Sequence, residues 1–367
     1  MNNLYMPAMT GLYILRRLSL NSNHEWYRRE DVKLIDDDGE FVTIKLHKSV
    51  YELARCEITG GTPEKDKIYW TYCGQNSDLY PESPESIARE DVPKGTHRDG
   101  VLPDCKTYPG VNHAFTVYVP AQYDGARPAN VYITLDNMFR HEKARTVMDN
   151  MIADGEIPVT IGLGISAGQF NDREYIGPGY PVFGNEHSND YRSIEYDRVD
   201  NVLAGFLINE MMPFALKGLN ITNDPKNILI SGNSSGGTGV FAAAYHRPDV
   251  FGNIWCSCGS VVGMRGGHLL ATALRQHARR EFRAYISVGE NDLNNVFGDR
   301  MTASWEIAKA MEYVGNDFIL VINQGGHGDL YGPKELPDVL RWTWGSGALK
   351  LRHTRVFTGC AYPVRKY

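Results

Sequence analysis

A short glycine-rich motif contains the residue with the clearest chemical role in this sequence. Ser234 stands at the centre of Gly232-Asn233-Ser234-Ser235-Gly236, which matches the pattern G-x-S-x-G. The preceding segment NILISGN is predicted to be a buried strand, and the segment that follows is predicted to be a helix. In this context the pattern predicts a sharp strand-to-helix turn that presents the serine hydroxyl, and the two flanking glycines leave the backbone room to form it. Ser234 is therefore the candidate nucleophile.

A serine hydroxyl needs a general base, and the base needs a carboxylate that orients it. In this arrangement the acid and then the histidine follow the serine along the chain, each on a loop after a later strand. The predicted strand FRAYISVG runs into a turn that holds Glu290 and Asp292, and FILVINQ runs into the glycine-flanked His327. We therefore predict Asp292 as the acid and His327 as the base. Glu290 and Asp299 are the competing acids, and His268 is the rival base.

Two backbone N–H groups are expected to bind the oxygen that becomes negative during attack on an ester carbonyl. The first is the N–H of Ser235, at the start of the predicted helix, where the helix dipole also favours negative charge. The second is expected from the loop after the predicted strand VYITLD, from Asn137 or, as the alternative, from Met138. Together these groups predict acyl transfer through a covalent acyl-enzyme.

The elements that position these residues alternate between strands and helices from about residue 100 to residue 345. Seven strands are predicted, namely the alternating HAFTVYVP, the segment NILISGN, and the buried apolar runs VYITLD, IPVTIGLGI, NIWCSCGS, FRAYISVG and FILVINQ. Helices are predicted over 143–153 and 197–212, around Trp305, and over 336–344. This alternation is typical of a mainly parallel sheet with helices on both faces, so we predict an α/β fold.

The first 100 residues have a different pattern. The segments VKLI and EFVTIKL flank an acidic turn that ends at Gly39, and they predict a β-hairpin. Five prolines between residues 74 and 110 predict an extended connector. We therefore predict a β-rich N-terminal appendage with a linker over residues 1–100, a catalytic domain over 101–345 and a C-terminal tail over 346–367.

Composition excludes several other classes of protein. Lys and Arg total 38 against 44 Asp and Glu, so the formal net charge of −6 lacks the basic excess that nucleic-acid binding requires. No apolar run approaches the roughly 18 residues of a membrane-spanning helix, and no export signal is predicted at the N-terminus. We expect a cytoplasmic protein, or a secreted one if a signal has been removed.

Six cysteines form no C-x-x-C pair and do not have the density of a disulfide framework. Cys256 and Cys258 alternate within a predicted strand and are expected in the core, without histidine partners. No metal site and no other cofactor is expected.

An insertion between Ala167 and Tyr191 is rich in glycine, proline and aromatic residues and is too long for a plain connection. We predict that it contributes to the substrate pocket. Its aromatic residues would stack on an aromatic or sugar-like group, and the alternative that they hold the loop against the protein stays open. They are Phe170, Tyr175, Tyr180 and Phe183. His268 is expected to contact the substrate or to have a structural role.

From about residue 100 to residue 345 the chain resembles the enterochelin esterase and esterase D branch of the α/β-hydrolases. The resemblance rests on four segments in the family's order, YVPAQYDGARPANVYITLDN, ISGNSSGGTGVFAAAYHRPDVFG, GENDLNN and GGHGDLYGPKELPDVLRWTW. It implies Ser234 as nucleophile, Asp292 rather than Glu290 as acid, and His327 as base. This chain has Asp136-Asn137 where family members usually have Asp-Gly. The branch includes siderophore, feruloyl and acetyl esterases and mycolyltransferases.

The expected function is that of a serine carboxylic-ester hydrolase acting through an acyl-enzyme. Its substrate would be a small-molecule or oligosaccharide ester, either a feruloyl or acetyl ester of plant polysaccharide or a siderophore-type ester. A homo-oligomer is compatible with the sequence. Two alternatives stay open, an acyltransferase of the same fold and a hydrolase-like binding protein without turnover.

Overall fold

The computed structural model describes residues 10–16, 32–37, 41–47, 80–103, 105–170, 172, 191–295, 297–328, 330–345, 348–350 and 354–359. Near the N-terminus, the strands β1 (Thr10–Arg16), β2 (Val32–Asp37) and β3 (Phe41–His47) form an antiparallel sheet in the order β1-β3-β2. The antiparallel pairing of β2 with β3 confirms the predicted hairpin.

A second, larger sheet carries the candidate catalytic residues. In chain order the remaining strands are β4 (Thr96–Leu102), β5 (Val111–Val119), β6 (Asn130–Leu135), β7 (Thr160–Ile165), β8 (Gln169–Phe170), β9 (Ile228–Asn233), β10 (Asn253–Ser257), β11 (Arg283–Gly289), β12 (Asn294–Asn295), β13 (Gly298–Asp299), β14 (Phe318–Asn323) and β15 (Thr354–Gly359). The large sheet has the order β15-β14-β11-β10-β9-β6-β7-β5-β4, with β8 beside β5, while β12 and β13 form a separate two-stranded sheet. The six strands from β14 to β7 are parallel, which confirms the predicted mainly parallel sheet.

The helices lie between these strands along the chain. They are α1 (Glu142–Ala153), α2 (Arg192–Tyr196), α3 (Val202–Phe206), α4 (Met212–Ala215), α5 (Ser235–His246), α6 (Leu269–Gln276), α7 (Arg300–Val314) and α8 (Leu336–Trp344). Within the described ranges, each helix is too short or too polar to span the hydrocarbon core of a bilayer.

Side chains of the sheet alternate between two apolar layers. On β6, Val131, Ile133 and Leu135 face a layer that includes residues of α3, α5 and α7, whereas Tyr132 faces a layer that includes residues of α1 and α8. Because both faces are covered, β6, β7, β10 and β14 are buried at every position. The predicted coverage of both faces by helices is therefore confirmed.

The sheet extends beyond both predicted boundaries. β4 pairs antiparallel with β5 from Thr96 to Leu102, so the sheet begins before residue 100. β15 pairs antiparallel with β14, so residues 354–359, assigned from the sequence to the tail, form an edge strand. Most residues of these two outer strands are exposed. They therefore lack the continuous apolar pattern by which the buried strands were predicted.

The continuous helix predicted over 197–212 is interrupted. α3 begins at Val202, whose N–H donates to the Asp200 carboxylate at 3.0 Å, rather than at Asp197. A π-helical turn then occupies Leu207–Met211 and is followed by Pro213 in α4. Proline has no N–H and its ring crowds the carbonyl of the preceding turn, which a wider turn relieves.

Candidate active site

Ser234 occupies a sharp turn between β9 and α5. Its φ of 57° and ψ of −119° form a backbone conformation that is strained for a residue with a side chain. The N–H of Ser234 donates to the Ser257 carbonyl at 2.9 Å, and the N–H of Ser260 donates to the Ser234 carbonyl at 3.0 Å. These two bonds hold the turn against the end of β10. The Ser234 hydroxyl lies 3.4 Å from the Ser260 hydroxyl.

The glycines beside Ser234 have the role that the sequence predicts. A Cβ atom on Gly232 would lie 2.3 Å from the backbone carbonyl carbon and oxygen of Gly236, closer than side chains approach backbone. A Cβ on Gly236 would lie 3.3 Å from Oδ2 of Asp136. The turn therefore brings two backbone segments into direct contact, and only glycine at position 232 permits it.

Asp292 and His327 form a hydrogen-bonded pair at the carboxyl ends of the neighbouring parallel strands β11 and β14. Nδ1 of His327 lies 2.7 Å from Oδ1 of Asp292. The Asp292 side chain is fully buried, whereas the imidazole of His327 is 18% exposed and can meet a substrate. The N–H of Leu293 also donates to Oδ1 of Asp292, at 2.6 Å. With Nδ1 engaged, Nε2 of His327 is the nitrogen that can exchange a proton with a substrate or nucleophile.

The competing carboxylates have other partners. Glu290 forms an ion pair with Arg355 of β15. The Glu290 side chain is partly exposed and the Arg355 side chain is largely exposed. Asp299 accepts a hydrogen bond from the N–H of Thr302 at 2.6 Å and so caps the start of α7. Neither carboxylate takes the place of Asp292 beside His327.

Cys258 lies between Ser234's turn and His327. Its Sγ is 4.0 Å from Nε2 of His327 and contacts Oδ1 of Asn233. Nε2 of His327 thus faces this thiol and, within the described residues, makes no hydrogen bond to Ser234. Burial, reinforced by the charge of Asp292, raises the pKa of the Cys258 thiol well above its usual value. The expectation that Cys258 has no histidine nearby is wrong, because the histidine arrives from a loop 69 residues later in the chain.

The two predicted oxyanion donors differ in their surroundings. The N–H of Ser235 opens α5 and has no acceptor within the described part of the chain, so it is available. The N–H of Asn137, in contrast, donates to the Ile165 carbonyl at 3.1 Å, and that of Met138 donates to the Thr134 hydroxyl at 2.9 Å. Neither therefore serves as the second donor in this structure.

The backbone conformation explains why the Asn137 N–H has an acceptor. Asp136 and Asn137 both have positive φ, 65° and 49°, and this pair of left-handed residues turns the chain back so that the Asn137 N–H meets β7. Asp and Asn adopt this conformation more readily than other side chains, so no glycine marked the turn in the sequence.

An arginine that sequence reasoning did not single out joins two loops at the site. Arg192 donates two hydrogen bonds of 2.8 Å to Asp136 and one of 2.9 Å to the Asn233 carbonyl. Its guanidinium also lies over the ring of Tyr196, 5.4 Å from the centroid. The only signal in the sequence was its charge in the mixed segment RSIEYD.

A buried histidine and glutamate, also not predicted, fix the ends of the insertion. Nε2 of His113 lies 2.8 Å from Oε1 of Glu195, and the two side chains are 0% and 1% exposed. Oε2 of Glu195 accepts the N–H of Gly168 at 2.7 Å, and the Gly168 carbonyl accepts the N–H of Tyr191 at 2.9 Å. Both ends of the insertion are therefore attached to one another and to β5.

The predicted substrate-contacting residues are only partly described. Phe170 is half-buried, and its ring packs edge-on against Tyr191 with centroids 5.0 Å apart, which favours the alternative that it holds the loop in place. Tyr175, Tyr180 and Phe183 lie outside the described residues. His268 is exposed just before α6, and in the described ranges it makes no hydrogen bond to Ser234, Asp292 or His327.

Comparison with known proteins places this site in a family. Residues 107–317 match the family model described as "Putative esterase", a match that includes Ser234 and Asp292. No curated protein sequence matches the chain.

Solved structures share the fold at low sequence identity. A ferulic acid esterase is 17% identical with a TM-score of 0.51, and the match covers 68% of this chain and 98% of that one. The enterobactin esterase FES from Shigella flexneri is 14% identical with a TM-score of 0.53, and the match covers 86% of this chain and 68% of that one. The ferulic acid esterase AmCE1/Fae1A from Anaeromyces mucronatus, in complex with ferulic acid, is 13% identical with a TM-score of 0.54. This match covers 72% of this chain and 96% of that one. Because the family model covers more than half of the chain, the chain belongs to this esterase family, and it is a carboxylic ester hydrolase with the α/β-hydrolase fold.

Proposed function

We propose that this esterase acts through Ser234 as nucleophile, His327 as general base and acid, and Asp292 as the carboxylate that orients the imidazole. One observation carries the proposal. The hydrogen-bonded pair of His327 and Asp292 lies at the same edge of the sheet as Ser234. Cys258 links the two sides of the site, because its Sγ contacts both Asn233, next to Ser234, and the His327 ring. A nucleophile, a base and an orienting acid are thus supplied by three neighbouring loops.

In the first step, Nε2 of His327 takes the proton of the Ser234 hydroxyl while Oγ attacks the ester carbonyl carbon. Nε2 faces Cys258 at 4.0 Å, so the ring must turn toward Ser234. Catalytic hydrogen bonds of this kind commonly tighten only when substrate binds. The carbonyl oxygen becomes an oxyanion and accepts the N–H of Ser235.

The tetrahedral intermediate then collapses, and His327 gives its proton to the departing alcohol. Water enters, loses a proton to Nε2 and attacks the acyl-enzyme, so that the carboxylic acid leaves and Ser234 is regenerated. Throughout, Asp292 accepts the Nδ1–H, keeps the reactive tautomer and stabilises the imidazolium. Its burial makes this interaction stronger than it would be in water.

For the substrate we propose an ester of an acid that bears a hydroxylated aromatic ring. The support comes from the ligands named with similar structures, which include ferulic acid, sinapinate and 2,3-dihydroxy-N-benzoyl-serine. All three carry a hydroxylated aromatic ring, which in ferulic acid and sinapinate belongs to the acid itself and in the serine compound is attached through an amide. Hydrolysis of methyl ferulate, an acetyl ester and a siderophore-type ester at equal concentration tests this. Fastest turnover of the acetyl ester would contradict the proposed substrate class while leaving the mechanism intact.

The mechanism is tested by labelling with a fluorophosphonate and by hydrolysis of a p-nitrophenyl ester. Ser234→Ala is expected to lose the label and to lower kcat by about 10³-fold or more. Ser260→Ala is the matched control, because its hydroxyl lies only 3.4 Å from that of Ser234. It should still be labelled at Ser234. An adduct on Ser260, or undiminished activity of Ser234→Ala, would contradict the mechanism.

A further inference from the structure

Three side chains that can bind a metal ion meet beside Ser234. The ligand atoms of Cys258, Asp292 and His327 all lie within 4.8 Å of one another. Cys258 and Asp292 are buried and His327 is partly exposed, so an ion would have two enclosed ligands and one route to solvent. The residues come from three different strand ends, after β10, β11 and β14.

A second observation concerns the carboxylate in this group. Oδ2 of Asp292 is buried and has no hydrogen-bond partner in the described part of the chain, while Oδ1 is already shared by His327 and Leu293. A buried carboxylate oxygen without a donor is unfavourable, because it has lost water and gained nothing in exchange. A cation beside Asp292 would satisfy it.

The donor set indicates which cation. One thiolate, one imidazole nitrogen and one carboxylate oxygen suit Zn²⁺, with bond lengths of roughly 2.3, 2.0 and 2.1 Å. In a tetrahedral site these lengths put sulfur and nitrogen about 3.5 Å apart. The Sγ to Nε2 distance is 4.0 Å, so a shift of about 0.5 Å would bring both atoms into the range of one ion.

We propose that Cys258, Asp292 and His327 form a zinc-binding site, with water as the fourth ligand, and that bound Zn²⁺ reversibly inhibits the esterase. Binding would release the Cys258 thiol proton to solvent, and thiolate and carboxylate together would balance the charge of the ion. Catalysis requires the same imidazole. An ion on Nε2 would block the nitrogen that takes the proton of Ser234, and an ion on Nδ1 would replace the proton that Asp292 accepts from the ring. The inhibition rests on the proposed function, whereas the binding does not.

Binding is tested with Co²⁺, which occupies zinc sites and absorbs light. Thiolate ligation should give a sulfur-to-cobalt charge-transfer band in the near ultraviolet, and Cys258→Ser should abolish it. Cys256→Ala is the matched control, because Cys256 is buried in β10, two residues earlier in the chain, and its Sγ faces Gly237 and Gly259. This control should keep the band.

Inhibition is tested by titrating Zn²⁺ against ester hydrolysis. Each enzyme is compared with its own zinc-free rate. Cys258→Ser should need about tenfold or more Zn²⁺ for the same fractional inhibition, since even loss of an outer partner of a metal ligand weakens binding 10- to 100-fold. A chelator should restore the wild-type enzyme. Circular dichroism checks folding, and Cys258→Ala serves if the serine variant unfolds.

The cobalt experiment and the zinc titration together distinguish failure of the metal site from failure of the proposed function. A charge-transfer band that depends on Cys258, in a protein without esterase activity, would support the metal site and contradict the proposed function. An active esterase without the band, or with equal zinc sensitivity in wild type and Cys258→Ser, would overturn the metal site and leave the proposed function standing.

Discussion

The guanidinium of Arg192 donates two hydrogen bonds of 2.8 Å to the carboxylate of Asp136. A third, of 2.9 Å, goes to the carbonyl of Asn233, directly before Ser234. One side chain therefore ties the loop after β6 to the turn that presents the nucleophile. Arginine suits this role because its planar fork matches a carboxylate and still offers a donor to a neighbouring carbonyl.

Replacing this arginine should lower turnover more than it lowers stability. Arg192→Ala is expected to reduce kcat about ten- to hundredfold, because small misplacements at a reacting centre have effects of this size. The kcat of Arg192→Lys should lie between those of the wild type and Arg192→Ala, since lysine keeps the charge but cannot form the paired bonds. Steady-state kinetics with a p-nitrophenyl ester measures both.

Arg247→Ala provides a matched control for Arg192. Arg247 forms similar paired bonds with Asp249, at 2.8 and 2.7 Å, but at the far end of α5 from Ser235. The 12 residues of that helix span about 18 Å. This variant should keep nearly full activity, and equal losses in the two alanine variants would contradict a specific role for Arg192.

The close backbone approach at Gly232 leads to a prediction about stability. Gly232→Ala would place Cβ 2.3 Å from the backbone of Gly236, so the turn must open or the protein must unfold more easily. We expect a lower free energy of unfolding and loss of esterase activity.

Gly205→Ala is the comparison for Gly232→Ala. This glycine lies within α3, and the nearest atom to an added Cβ is the Asn209 amide nitrogen at 3.9 Å. Here alanine should be neutral or should stabilise by up to about 1 kcal/mol, because it favours helix. Urea unfolding followed by circular dichroism distinguishes the two, and equal effects would refute the steric explanation.

Glu335 makes stability depend on pH. It is buried at the start of α8, where Oε2 accepts the Ser287 hydroxyl at 2.9 Å, and Tyr285 and Asp338 also face it. Burial raises its pKa from 4.5 to about 8, and the nearby Asp338 charge contributes. Between these two values the folded chain keeps a proton that the unfolded chain has released. The Glu335 contribution to stability therefore falls as pH rises through this window and is constant above it.

Glu335→Gln removes this titration while keeping a similar shape. The variant should gain stability relative to wild type as pH rises from about 5 to about 8, with little further change above that. Urea unfolding across this range measures the difference. The exposed Glu306→Gln variant tests whether any glutamate-to-glutamine change has the same effect. A wild-type to Glu335→Gln difference that does not vary with pH would contradict the proposed role of burial.

Much of this arrangement could be predicted from the sequence because its signals are local. Buried strands appear as apolar runs, the glycines around Ser234 report a tight turn, and chain order assigns Asp292 and His327 to the ends of adjacent strands. The outer strand β15 could not be predicted in this way, because its exposed residues lack an apolar pattern. The helix over 197–212 was predicted too long, since periodicity alone does not report a π turn before Pro213.

Contacts between distant segments were beyond the reach of sequence reasoning. His113 and Glu195 are 82 residues apart, and each has an ordinary local explanation on its own. The same holds for Cys258, whose proximity to His327 depends on the order of strands in the sheet. The N–H of Asn137, predicted as the second oxyanion donor, bonds to Ile165 because two consecutive left-handed residues redirect it, and side-chain type alone does not reveal that.

The hydrogen bond from Tyr191 to Gly168 closes the base of the insertion, and Glu195 attaches that base to His113 on β5. Gly168 and Tyr191 are thus held together as a short neck that is attached to β5 of the catalytic sheet. Recombination libraries can exchange the stretch between Gly168 and Tyr191 for versions of other lengths while the neck is retained. New ester preferences could then be selected without redesigning the residues that perform the chemistry.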